Sequence, residues 1–381
     1  MTRRFAVVAG ARPNFMKVAP LLPALRARGA TPLLVHTGQH YDAAMSGSFF
    51  EVLGLPDADV NFGVGSSSHA IQTGAVMTHF EAWLPAAAVD AVIVVGDVNS
   101  TMACALVAAK VGIPVAHVEA GLRSFDRSMP EEVNRIVTDG LATWLFATSP
   151  DAVANLKAEG IEPCRIHLVG NVMADSLFAS IGAARKRAPW QTLGLEGRFG
   201  LITLHRPALV DDPALLGSVL EALNELATDV PFVFPVHPRT QATLRGSSLA
   251  IGNLRLVDPL DYLDFVALEE RAAVVVTDSG GVQEETSLLG TWCVTVRPST
   301  ERPITVTAGT NTVVGYDTAR LSEAVARALG RTKCAPAHIP LWDGHASDRI
   351  ADILLARVPE PSYIPPTLKE EEGNELDAMF A

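Results

Sequence analysis

Cysteine is scarce in this chain. Cys104, Cys164, Cys293 and Cys334 are the only ones among 381 residues, and no two of them form a CxxC pair. That scatter excludes a disulfide framework and a zinc knuckle, and it fits the reduced thiols of a cytoplasmic protein. Long apolar runs are missing too. Stretches such as "ATWLFA" and "AVIVV" fall far short of a bilayer span even though 48% of residues are hydrophobic, so no membrane is expected as a partner. The amino-terminal "MTRRFAVVAGARP" places basic residues before apolar ones. Gly10 and Pro13 stop that run at strand length, which argues against a signal peptide. Nor is there a surplus of cations. A formal net charge of −12 leaves no overall basic face for nucleic acid, so any phosphate must be met by cations gathered locally. No HExxH motif or dense His/Asp cluster is present. His117 and Glu119 share a strand face, with Asp97 on a neighbouring strand, so a metallohydrolase stays as a minor alternative.

What is present is rhythm. "FAVVAG", "PLLVHTG", "AVIVVGD" and "IPVAHVEAG" each read as a buried strand stopping at a glycine or its neighbour, and stretches of helical spacing such as 68–88 and 100–111 separate several of them. This alternation predicts a parallel sheet covered by helices on both faces, an α/β fold. The rhythm restarts with "RFGLITLHRP", "VPFVFPVHP", "NLRLVDP", "AAVVVTDSGG" and "TWCVTVRP". At this length two domains are the natural expectation, with a boundary near residues 170–190. The tail from Val358 mixes prolines with an acidic run and reads as a loose surface segment.

Ligands bind beyond the carboxyl ends of strands in open parallel sheets. The unusual polar residues fall there: Arg12 after the first strand, Gln39 after the second, Asp97 after the third and Glu119 at the end of the fourth. His205 with Arg206, His237, and Asp278-Ser279-Gly280-Gly281 repeat the placement in the second half. Ser279-Gly280-Gly281 opens a helix, where backbone amides and the helix dipole suit an anion; a plain N-cap and turn is an equally weighted alternative. Arg12 precedes Pro13 at a helix start, and Lys17 lies about one turn on, so both can face a phosphate. Asp97 has a simpler reading as a helix cap. Glu119 ends a very apolar strand, where burial would favour proton transfer. Glu131 and Glu132 follow Pro130 at a predicted helix start, and one of them is expected to face a cleft. Arg302, flanked by Glu301, has a surface ion pair as its simpler reading.

Together these segments resemble the UDP-N-acetylglucosamine 2-epimerases along residues 4–355. The similarity is carried by "GARPNFMKVAPLL", "HTGQHYD", "GDVNSTMACALVAAKVGIPVAHVEAGLRSFDRSMPEEVNR", "TLHRP", "FPVHPRT", "TDSGGVQEET" and "TERPITVTAGTNTVVG". The resemblance implies two Rossmann-like domains of glycosyltransferase-B type with an interdomain active-site cleft. Residues 1–170 with a returning 345–381 would form one domain, and 171–344 the nucleotide-binding other. It implies a UDP-sugar substrate, a homodimer, and a route needing no NAD and no metal. UDP leaves C1, C2 loses its proton to give a 2-acetamidoglucal, a proton returns to the other face, and UDP re-adds. Asp97, Glu119 and Glu131 would carry the acid–base work, with His205 at the departing phosphate. Arg12, Lys17, Ser279, Gly280, Gly281 and Arg302 would hold phosphate or nucleotide, Glu285 the ribose and Phe265 the uracil. Gln39, Arg206 and His237 match a second, activating UDP-sugar pocket. Asp42 and "GSSSH" depart from that pocket's usual residues. A hydrolysing relative, a relative acting on UDP-2,3-diacetamido-glucuronate and a glycosyltransferase of the same architecture are the alternatives; "TERP" counts against the second.

Overall fold

The computed structural model describes residues 2–39, 50, 53–246 and 252–356. Asp42 and the acidic tail lie outside the described residues. Among the described residues there are two all-parallel sheets. The first contains β1 (Arg4–Ala9), β2 (Thr31–His36), β3 (Val60–Asn61), β4 (Ala91–Val95), β5 (Val115–Ala120), β6 (Trp144–Ala147) and β7 (Ile166–Leu168), in the order β3-β2-β1-β4-β5-β6-β7. The second contains β8 (Gly200–Thr203), β9 (Phe232–Pro235), β10 (Arg255–Val257), β11 (Val274–Thr277), β12 (Trp292–Thr295) and β13 (Asn311–Val313), in the order β10-β9-β8-β11-β12-β13. Both halves thus wind outward in the same way, reversing between β1 and β4 and again between β8 and β11.

The strands read as continuous β-branched runs because both faces are covered. Phe5, Val7 and Ala9 enter one core, while Ala6 and Val8 enter another on the opposite face. Ile202 and Leu201 divide similarly in the second sheet. Each fully buried Val, Ile or Phe contributes about 1.5–3 kcal/mol, so these alternating faces supply most of the stabilisation.

Two helices tie the halves together. The Val172–Arg187 helix packs against Arg12–Val18 on one side and against Tyr262–Arg271 and Gly280–Leu289 on the other. Its Asp175 accepts the backbone N–H groups of Ala346 at 3.1 Å and Ser347 at 2.7 Å, capping the Ala346–Ala356 helix from outside. That last helix returns to the first half. Ile350, Ala351 and Leu354 enter its core, and Asp348 and Asp352 pair with Arg28.

Candidate active site

Both winding reversals coincide with polar rims. In the first half, Lys17 follows β1, Asp97 follows β4 and Glu119 sits on β5. In the second, His205 follows β8 and Asp278 follows β11. Rossmann-type sheets open a crevice at such a reversal because the flanking loops leave in opposite directions.

Glu119 joins the two rims. Its φ is +75° and the β5–β6 register slips between Val118 and Ala120, so the side chain leaves the strand in an unusual direction. It is buried against the Lys17 ammonium and, at 2.7 Å, Nη2 of Arg302 from the other half. The sequence suggested a buried acid; the structure buries it between two cations. Lys17 is likewise buried rather than solvated, whereas Arg12 is exposed and faces the charge of Asp261. Arg302 is far from a surface ion pair. Its Nε lies 2.7 Å from Glu284 Oε1 and its Nη1 2.7 Å from Glu301 Oε1, so each guanidinium nitrogen meets a different carboxylate. Glu301 also meets Arg297 at 2.7 Å. Burial opposes the Glu301 charge, but Arg302, Arg297 and Arg206 hold its carboxyl far below the usual range.

Asp97 does not cap the next helix; Val98 holds that position. Asp97 pairs instead with Arg135 and keeps 27% of its side chain open. Burial pushes its carboxyl up, but Arg135, Lys17 and Arg302 together hold it below the usual range. Glu131 and Glu132 do begin a helix, Pro130–Leu141, and they divide their tasks. Glu132 is buried, accepts the N–H groups of Ser124 at 2.9 Å and Phe125 at 3.0 Å, and meets Arg135. Glu131 is 37% exposed and lies 3.6 Å from Arg206 of the opposite half.

His205 is held by a partner that a cap reading of its sequence position hides. Asp278 accepts the backbone N–H groups of His205 and Arg206, each at 2.8 Å, and its other oxygen lies 3.0 Å from His205 Nδ1. Burial works against the Asp278 charge, yet His205 and those amides keep its carboxyl below the ordinary range. The His237 ring centroid is 5.6 Å from that of His205, and burial lowers the His237 pKa.

Ser279 is the cap residue of the Gly280–Leu289 helix, without a side-chain cap bond. The two glycines differ. A Cβ at Gly280 would collide with the Arg302 guanidinium, 2.8 Å from Cζ, whereas one at Gly281 would meet only Met173 Cε at 3.8 Å. Gly280 therefore makes room for Arg302, and Gly281 leaves the helix start open. One turn on, Glu285 is buried and accepts from the Tyr262 hydroxyl at 2.9 Å; burial raises its pKa to about 8. Phe265 is half-buried against the Leu195, Phe199 and Leu201 cluster.

The second-pocket residues do not all come together as free groups. The Gln39 side-chain oxygen accepts from the Ser100 N–H at 3.1 Å and its hydroxyl at 2.8 Å, an internal task. Arg206 and His237 do lie near His205. His117 does not present a metal-binding face with Glu119. Its ring nitrogens are engaged by Asp139 and the Gly96 carbonyl, and no group of three metal-binding side chains occurs among the described residues. No described helix is long and apolar enough to cross a membrane.

Two Rossmann-like halves of equal winding, with acids and cations meeting across one cleft, define the glycosyltransferase-B class of architecture. A family model for UDP-N-acetylglucosamine 2-epimerase matches residues 23–355, and the chain belongs to that family. It is 38% identical over 362 residues to the UDP-N-acetylglucosamine 2-epimerase of Methanocaldococcus jannaschii, covering 92% of this chain and 98% of that protein. It is 41% identical over 357 residues to the UDP-2,3-diacetamido-2,3-dideoxy-D-glucuronate 2-epimerase of Pseudomonas aeruginosa, covering 92% of this chain and 99% of the relative. The crystal structure of the M. jannaschii enzyme with UDP-GlcNAc and UDP superposes with a TM-score of 0.87 at 38% identity, over 93% of this chain and all of that one. The glycotransferase of kitacinnamycin, at 14% identity and a TM-score of 0.59, shares the fold alone.

Proposed function

We propose that this protein interconverts UDP-N-acetylglucosamine and UDP-N-acetylmannosamine by eliminating and re-adding UDP. The supporting observation is the Arg302–Glu119 contact, which joins a cation of the second half to a carboxylate of the first across the cleft. C2 of the sugar is beside no carbonyl, so its proton becomes acidic only as the C1–oxygen bond breaks and positive charge develops at C1. Groups that retain the departing diphosphate must therefore stand next to groups that move a proton. Lys17 and Arg302 supply the first and Glu119 the second. A diphosphate drawn to these cations competes with Glu119 for them and frees the carboxylate beside the reacting carbon. Asp97, partly open beside Arg135, becomes a better proton acceptor as the diphosphate draws Lys17 and Arg302 away from it, and Glu131 stands at the open side. His205, held by Asp278, serves the leaving phosphate. Arg12, Ser279, Gly280 and Gly281 complete the diphosphate site, with Glu285 at the ribose and Phe265 at the base.

The domain division follows the same reading: residues 1–170 with 345–381, and 171–344. Docking of the Ala346–Ala356 helix onto the first half supports it. The family resemblance also leads us to expect a homodimer, which light scattering would report as twice the chain mass. Similarity to the P. aeruginosa relative supports the diacetamido-glucuronate sugar as a second substrate reading.

The deciding experiment is incubation with each UDP-sugar in deuterated water, followed by NMR. Epimerisation puts deuterium at C2 of the recovered UDP-sugar. Free UDP with N-acetylmannosamine would instead mark a hydrolysing enzyme, and no reaction with either sugar would reject the reading.

A further inference from the structure

Asp139, on the Pro130–Leu141 helix, is fully buried and does not reach the cleft surface. It nonetheless gathers contacts from both sides of Glu119 at the end of β5, and through His117 it reaches the end of β4 beside Asp97. Its Oδ1 lies 2.6 Å from His117 Nδ1. Its Oδ2 accepts from the Gly121 N–H at 3.1 Å and from Arg123 Nη2 at 2.7 Å. His117 extends the chain, because its Nε2 lies 2.8 Å from the Gly96 carbonyl oxygen. Both ring nitrogens are thus engaged, one by the Asp139 carboxylate and one by the Gly96 carbonyl. Burial opposes that charge, but His117 and Arg123 keep the Asp139 carboxyl below its usual range.

The positions of these contacts matter. His117 and Gly121 stand two residues before and two after Glu119, and Gly96 immediately precedes Asp97. Glu119 holds a left-handed backbone conformation that costs a side-chain-bearing residue on the order of 1–3 kcal/mol, and the strand register slips beside it. Such a kink persists only when its surroundings hold it, and Asp139 reaches the chain on both sides of it, alongside the sheet pairing of β5 and the Asn155 amide on the Gly121 carbonyl. Gly96 is also left-handed, with φ +68°, and a Cβ there would lie 2.8 Å from Lys17 Nζ and 3.3 Å from Glu119 Oε2. The Gly96 turn and the Glu119 kink are therefore packed against each other.

We propose that Asp139, acting through His117, is a positioning residue that fixes the backbone at Glu119 and Asp97 so that both carboxylates face the same sugar carbon. This rests on the epimerase reading above. Asp139 touches no reacting atom; its effect is on where two carboxylates stand.

The test compares Asp139→Asn and His117→Gln with the wild type. UDP affinity is measured by calorimetry, together with kcat, KM and deuterium incorporation at C2 from UDP-GlcNAc. A misplacement of about 1 Å near the reacting atoms costs about 100-fold in rate, so kcat and deuterium incorporation should fall by about that factor. KM and UDP affinity should stay within about threefold, because the second half still holds the nucleotide. A kcat within about threefold of wild type in a folded variant overturns the proposal, as does a parallel loss of UDP affinity and kcat. If Asp139→Asn does not fold, His117→Gln decides alone, since it cuts the tie to Gly96 and leaves Asp139 with Arg123 and Gly121. A wild type that exchanges no deuterium with either UDP-sugar would sink the epimerase reading and this role with it. An active wild type with equally active variants would sink the positioning role alone.

Discussion

At the scale of single residues, Glu119 concentrates the chemistry. It competes with any incoming diphosphate for Lys17 and Arg302, so removing its charge has opposite effects on binding and on reaction. Glu119→Gln should lower C2 exchange by about 1000-fold or more, the scale expected when a general base is lost. The same variant should bind UDP several-fold more tightly, which calorimetry would detect; unchanged or weaker binding would refute the competition. The neighbouring acids offer a second contrast. Glu132 satisfies two backbone amides and Arg135, so Glu132→Gln should lower the unfolding midpoint and cost about 1–3 kcal/mol in a denaturant titration. Glu131→Gln should leave that midpoint unmoved and reduce kcat. These two residues show how far sequence could go. Pro130 and the helix start led to the expectation that one of the pair would face the cleft, and only family likeness picked Glu131; the contacts that separate the two, with Ser124, Phe125 and Arg206, follow no local pattern. Arg302 shows the same limit. Its contact with Glu119 spans 183 positions, so no local pattern announces it.

At the scale of elements, the Gly280–Leu289 helix separates packing from binding. Gly280→Ala forces Arg302 away from Glu119 and should lower both the unfolding midpoint and the affinity for UDP. Gly281→Ala meets almost nothing, so it should keep the midpoint and weaken UDP alone. Sequence treated the two glycines as one anion-binding turn, since their difference lies in a side chain 22 positions ahead of Gly280. The same helix also carries an acid that titrates in an unusual range. Folded Glu285 keeps its proton up to about 8, whereas the unfolded chain releases it near 4.5. Between those values the folded state binds more protons, so this contribution to stability is present at low pH and is lost as pH rises toward 8. Buried Glu269, raised by burial and by Glu285, acts in the same direction. Thermal unfolding followed from about pH 5 to pH 9 should show the midpoint falling, and Glu269→Gln should make the fall shallower. A midpoint that climbs across this window in the wild type would contradict the burial of these acids.

At the scale of the whole molecule, the architecture was the most legible part. Buried strands announce themselves as β-branched runs, and "AVIVV" became the central β4 with every residue covered. Two of the short edge strands did not, although "NLRLVDP" did and became the edge strand β10. Val60–Asn61 and Asn311–Val313 are too brief to set a period, and neighbours in the sheet define them. The returning helix was placed by family likeness, and its docking can be measured. Ile350→Ala should cost about 2–5 kcal/mol in urea unfolding, as for other fully buried large-to-small changes. The same helix bears on how the chain matures. Its seat on the Leu21–Ala27 helix is built from residues more than 300 positions earlier in the chain than its own apolar face, Ile350 and Leu354. The earlier half therefore keeps an uncovered apolar groove until Ile350 and Leu354 have been made and docked, so closing this core is a long-range step that local folding of the first half cannot complete.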